Sequence, residues 1–167
     1  MHFLSQLYPI IAQQNPKWCI FIPPQVKLND MAHLIQLDTF NTGQGNLTVF
    51  EKIIPGAIKR VFFIYGAEHA TRGGHRHYQT YNALICIKGS CHVYSTDGII
   101  EEHFLLNSPS TCLILEPKDW HVMDEFTEDA ILLVLSNQNY DRSDYIDEPY
   151  IINRNVTSIQ NQLEPNK

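Results

Sequence analysis

Apolar and polar residues alternate along this chain in short stretches, and those stretches follow one another closely. From about residue 31, runs rich in Val, Ile, Phe, Tyr and Thr predict strands at 33–37, 47–52, 60–65, 83–87, 91–95, 99–105, 111–115, 122–126 and 131–135. No helical period separates them, which argues against a parallel α/β sheet. Gly89-Ser90 and Asp97-Gly98 punctuate the series. The second pair predicts a two-residue type I′ hairpin, because both central positions of that turn need positive φ. The expected fold class is all-β, an antiparallel barrel or sandwich.

The two ends follow a different pattern. Residues 1–30 contain Asn15-Pro16, Pro23-Pro24, one apolar cluster from Trp18 to Ile22 and little periodicity. They form an N-terminal extension, with a short helix expected over 2–14. Residues 31–137 make the barrel domain. The tail, 138–167, is polar and also expected to carry a short helix. A chain of 167 residues suffices for one such domain with a sizeable core.

Composition narrows the function. With 44% hydrophobic and 18% charged residues the chain is not disordered. Its 12 Lys and Arg against 18 Asp and Glu give a net charge of −6 with no basic run, so no nucleic-acid partner is expected. A small anionic ligand held by a local Arg remains compatible with that charge. The longest apolar run, Ala130 to Leu135, is far short of a membrane span. The first residues lack a basic n-region, so no signal peptide is read. Cys19, Cys86, Cys91 and Cys112 include no C-x-x-C pair. Reduced, mostly buried thiols and a cytoplasmic location are the expectation.

The most informative stretch for chemistry is Thr71-Arg72-Gly73-Gly74-His75-Arg76-His77. On a strand, His75 and His77 face one side and Arg76 the other. Two imidazoles in one pocket suit either a metal site or proton transfer between neighbouring carbons; incidental surface histidines are the bland alternative. The paired glycines would let backbone approach a ligand. His121, after Glu116-Pro-Lys-Asp-Trp120, is either a third site residue or a packed one.

The order His75-x-His77, Asn82, Gly89, Pro117 and His121 resembles the two motifs of the cupin jelly roll. Metal-binding cupins usually have Glu where Asn82 stands, and a neutral amide is a poorer ligand for a hard cation. Three histidines alone can still hold zinc. A narrower resemblance rests on five stretches in order: Ile58 to Ile64, Arg72 to His77, Leu84 to Cys91, Trp120-His121, and Tyr140 to Ile146. Together they resemble the sugar-nucleotide ketoisomerases that act on dTDP-4-keto-6-deoxyglucose, over roughly residues 31–150.

That resemblance implies a cupin jelly roll that moves a keto group between C4 and C3 of a dTDP-linked 6-deoxyhexose through an enediol(ate). It implies no metal and no cofactor, a place in amino-sugar and surface-polysaccharide biosynthesis, and a homodimer. By the same resemblance His75 and His77 are the catalytic pair, with Arg72, Arg60, His121 and Asn82 binding the dTDP-linked keto sugar. Such chemistry needs a base that is free near neutral pH, which is the natural role of histidine. The chain departs from the family where many members carry Tyr after Arg-Val, since Phe62 and Phe63 stand there. It also has Thr42 to Asn46 where many members carry an Asp-x-Arg-Gly turn. Competing readings are a non-catalytic sugar- or nucleotide-sugar-binding cupin, and a metal-dependent cupin enzyme using His75, His77 and His121.

Overall fold

The computed structural model describes residues 31–151. Twelve strands follow one another. They are β1 His33–Gln36, β2 Thr39–Asn41, β3 Asn46–Thr48, β4 Arg60–Tyr65, β5 Arg72–His77 and β6 Asn82–Lys88, then β7 Cys91–Thr96, β8 Glu101–Leu106, β9 Thr111–Leu115, β10 Trp120–Asp124, β11 Ile131–Ser136 and β12 Tyr145–Ile146. Two five-stranded sheets, β1-β9-β6-β11-β4 and β12-β5-β10-β7-β8, are antiparallel throughout, and β2-β3 is a separate hairpin.

The sequence pattern explains which sheet is which. In the first sheet, β6, β9 and β11 read as near-continuous apolar runs because both their faces are covered. Leu84, Leu113, Leu132 and Val134 point into the main core between the sheets. Ala83, Ile85, Cys112, Ile114 and Leu135 point the other way, under Leu37, Phe50, Ile53 and Ile54. In the second sheet β7 and β8 alternate, because only one face meets the core: Cys91, Val93 and Leu106 are buried, while His103 and Leu105 are exposed.

Several expectations need correction. The strand predicted at 47–52 stops at Thr48; Lys52 takes a positive φ of 58°, and the segment that follows lies over the first sheet instead of extending it. The strand predicted at 122–126 is Trp120–Asp124, ended by Glu125 at φ 49°. Asp97-Gly98 is not a type I′ turn. Only Gly98 has positive φ, and Asp97 Oδ1 accepts from the N–H of Ile99 and of Ile100, at 2.9 Å each, making a longer loop.

The helix expected at 2–14 lies outside the described residues. In the tail, the described part of 138–167 forms one 3₁₀ turn, Arg142–Asp144, and then β12. Asp141 caps that turn, its carboxylate taking the Ser143 N–H at 2.9 Å. Pairing of Tyr145 with His77 and Ile146 with Arg76 captures the backbone as a strand before a helix can extend. Cys86, Cys91 and Cys112 are buried free thiols. Among the described residues no helix is long and apolar enough to cross a membrane.

Candidate active site

The site is built around β5 and depends on its two glycines. Gly73 and Gly74 both have positive φ, at 85° and 75°. Pairing with β10 runs Met123↔Arg72 and Val122↔Gly73, then jumps to His121↔His75, so one extra residue bulges out of β5. Strict alternation would place Arg72 and His75 on opposite faces. The bulge restores them to one face, and Arg72, His75 and His77 all line the same cavity. A Cβ on Gly73 would lie 2.6 Å from the His121 carbonyl oxygen. The close approach that Gly73 permits is to β10, and Gly73 also lines the cavity.

The cavity has a volume of about 380 Å³ and is lined by all six residues nominated from sequence: Arg60, Arg72, His75, His77, Asn82 and His121. The three imidazoles cluster, with ring centroids 5.0 Å apart for His75–His77 and 4.9 Å for His75–His121. Each is held differently. His121 Nδ1 donates to the Asp119 carbonyl at 3.0 Å, and burial with neighbouring imidazoles pulls its pKa down to about 3. His77 Nδ1 donates to Asp144 Oδ2 at 3.1 Å. Burial, then the charge of a protonated His75, lower the His77 pKa to about 4, although Asp144 pulls upward. Burial also lowers that of His75. At neutral pH all three rings are neutral, with Nε2 of His77 and His121 carrying the lone pair.

Asp144 is a site residue that sequence reasoning passed over. β12 pairs with the end of β5, which brings the preceding turn behind His77. There the Asp144 carboxylate also accepts from the Gln79 N–H at 2.8 Å and from the Thr80 hydroxyl. Tyr145, next in the chain, was missed too. Its ring lies 4.7 Å from that of His75 and 4.5 Å from that of His77, and its hydroxyl accepts from Arg60 Nη1 at 3.4 Å. The available signal was the Asp-Tyr-Ile string at 144–146, noted as a motif and not as chemistry.

Two further nominated residues, and Arg76 from the opposite face, are placed as follows. Asn82 is buried and its Oδ1 accepts from the Ser136 hydroxyl. Arg60 stacks near Phe62, at 4.9 Å, and its buried Nε makes no hydrogen bond among the described residues. Arg76 points away from the cavity and lies over the Tyr150 ring at 4.2 Å. Among the described residues no group of three or more His, Cys, Asp or Glu is arranged to hold a metal ion.

Residues 30–154 match the family described as FdtA: WxcM-like, C-terminal. The chain belongs to this FdtA-like cupin family. Within its reach is a TDP-4-oxo-6-deoxy-alpha-D-glucose-3,4-oxoisomerase from Aneurinibacillus thermoaerophilus, 39% identical over 106 residues that cover 62% of this chain and 76% of that protein. Among solved structures, a histidine-to-asparagine mutant of the 3,4-ketoisomerase QdtA from Thermoanaerobacterium thermosaccharolyticum, in complex with TDP-4-keto-6-deoxyglucose, is 38% identical. It covers 70% of this chain and 87% of its own, with a TM-score of 0.66. A 3,4-ketoisomerase from Helicobacter canadensis matches at 32% identity over 70% of this chain and 90% of its own, again at 0.66. The all-β antiparallel architecture expected from the strand pattern agrees with these neighbours.

Proposed function

We propose that the chain is a sugar-nucleotide 3,4-ketoisomerase. It moves the keto group of a dTDP-linked 4-keto-6-deoxyhexose from C4 to C3. The observation that carries this reading beyond family membership is the His77–Asp144 pair beside the cavity, which two arginines, Arg60 and Arg72, also line.

The geometry supports the following chemistry. A C4 carbonyl acidifies the C3–H bond. His77 takes that proton on Nε2, because Nδ1–H is committed to Asp144. The electron pair of the C–H bond becomes the C3–C4 double bond of an enediol(ate). The carboxylate behind the ring stabilises the imidazolium that forms. Passage of the O3 proton to O4 and delivery of a solvent-exchangeable proton from the imidazolium to C4 leave the ketone at C3, with no net redox change and no external reactant. Asp144 favours His77 over His75 as the base, since His75 has no carboxylate partner of this kind. His75 and His121 then contact or orient the sugar, Asn82 completes the wall, and Arg60 and Arg72 take the pyrophosphate. The product would supply an aminotransferase for amino-sugar and surface-polysaccharide biosynthesis. We further propose a cytoplasmic homodimer.

The test is incubation with dTDP-4-keto-6-deoxyglucose in D₂O, followed by NMR of the sugar ring. Appearance of a C3 ketone with deuterium at C4 supports the reading. Tight binding of dTDP or the keto sugar without conversion would transfer the chain to the non-catalytic binding class. Neither binding nor conversion would end it.

A further inference from the structure

The Asp144 carboxylate reaches the back of His77 from the residue just before β12. That strand is only two residues long, Tyr145 and Ile146, and among the described strands it pairs with β5 alone. So short a strand frays unless the backbone beyond it is tied down. The tie lies on the other side of the sheet. Arg76 sits between the two site histidines, and strand alternation turns it away from the cavity. Its Nη1 donates to the Glu148 carbonyl, and its guanidinium lies 4.2 Å from the centroid of the Tyr150 ring. That ring is held from two further directions. Its hydroxyl donates to the Lys118 carbonyl at 3.0 Å, and the ring rests on Gly98, where a Cβ would come within 2.7 Å of it.

We infer that Arg76 is a positioning residue: by clamping residues 148–150 on the outer face, it holds β12 in register and Asp144 against Nδ1 of His77. Its consequence for turnover rests on the function proposed above; its consequence for His77 does not. The Gln79 N–H and the Thr80 hydroxyl orient the carboxylate of Asp144, whereas Arg76 fixes the backbone from which that side chain projects. The chemistry favours arginine at this place. A planar guanidinium can stack on a ring while one of its N–H groups donates to a carbonyl, and the point charge of lysine does both less well. The same strand therefore presents its histidines to the cavity on one face and grips the segment that supports one of them on the other.

Arg76→Ala, Arg76→Lys and Tyr150→Ala are compared with wild type, each well below its own melting temperature. The readouts are the ¹⁵N shifts of the His77 ring, which report its tautomer, turnover of the keto sugar by NMR, and dTDP affinity by calorimetry. Wild-type His77 should show the Nδ1–H tautomer alone. In Arg76→Ala and Tyr150→Ala an Nε2–H population should appear and turnover should fall by about 5- to 10-fold, with dTDP affinity held within about threefold. Arg76→Lys should lie between these variants and wild type. Added to Asp144→Asn, Arg76→Ala should cost less than about twofold more, because both changes remove the same contact. An unchanged His77 tautomer in Arg76→Ala and Tyr150→Ala would overturn the inference, even where both melt earlier, and would reduce the clamp to support for the fold. Losses that multiply in the double variant would overturn it as well. A tautomer shift in a protein that converts no keto sugar would leave the positioning role standing and end the proposed function alone.

Discussion

His75, His77 and His121 lie on the inner face of the second sheet, and His92 and His103 lie on its outer face, on strands β7 and β8. The two groups share local chemistry. His77 donates to a carboxylate at 3.1 Å, and His92 Nδ1 meets Asp124 Oδ1 at 2.8 Å. Each group contains packed imidazole rings, 5.0 Å apart for His75–His77 and 5.1 Å for His92–His103. They differ in surroundings. The His77 side chain is 3% exposed and faces a cavity, whereas that of His92 is 23% exposed, its Nε2 meets His103 Nδ1 at 2.9 Å, and His103 opens to solvent. A His–carboxylate pair is therefore not a base by itself. It becomes one where burial keeps the ring neutral, the carboxylate fixes the tautomer, and the remaining nitrogen faces room for a substrate.

The sharpest way to break this comparison is to remove one ring from each face. His77→Asn should lower turnover by about 10²-fold or more, while His92→Asn leaves it within about twofold. Both variants should melt as folded proteins by circular dichroism. Equal effects on turnover would show that the inner cluster has no special role.

A nearly comparable effect, on stability, is expected at the bulge that turns Arg72 and His75 to one face. Gly73→Ala places a methyl 2.6 Å from a backbone oxygen and strains a residue at φ 85°, while Gly74→Ala meets open space at φ 75°. Urea unfolding should show a loss of about 3 kcal/mol for the first and about 1 kcal/mol for the second. Similar losses would mean that the β5–β10 approach is not under tight steric constraint.

A smaller effect should follow from the carboxylates. Asp144→Asn can present its NH₂ to His77 Nδ1 and so favour the tautomer that carries hydrogen on Nε2, removing the basic lone pair. Turnover should fall by roughly tenfold or more, short of the loss in His77→Asn, and Asp124→Asn should be neutral. An unaffected Asp144→Asn enzyme would detach the carboxylate from the mechanism.

The smallest effect concerns how stability depends on pH. Folded His77 titrates at about 4 and His121 at about 3, against an ordinary value of 6.5, so over that interval the unfolded chain holds more protons and stability falls as pH falls. Asp119 opposes this. Burial raises its pKa from 3.8 to about 7, so it stabilises the fold at low pH and loses that contribution as pH rises through 7. In Asp119→Asn the rise in urea midpoint from about pH 4.5 to 6.5 should be steeper than in wild type. An unchanged slope would show that Asp119 does not titrate in this way.

How much of this was legible beforehand depends on the range over which each feature is encoded. Strand alternation and continuous apolar runs are local consequences of one-sided or two-sided burial, so most strands of the jelly roll could be read directly. The His75-x-His77 pair was legible for the same reason, since two residues apart on a strand means one face. Turn details were harder: Asp97 was judged by the backbone preference of Asp-Gly, but its side chain captured two backbone N–H groups instead. Arg72 joined the pair only through the bulge at Gly73-Gly74, whose existence depends on how β5 seats against β10.

Asp144 and Tyr145 required the tertiary structure. They stand 67 and 68 positions beyond His77 in the sequence, in a stretch that marked the family resemblance but carried no local sign of contact with the histidines. What brings them there is the capture of a two-residue strand by the free edge of β5. The sequence by itself determined most of the strands, the all-β antiparallel class and the paired imidazoles, because periodicity and residue type act over a few residues. Only the tertiary structure decided which imidazole has a carboxylate behind it, which phenol faces the cavity, and which histidines on the same sheet are turned outward, because those depend on register and burial between distant strands.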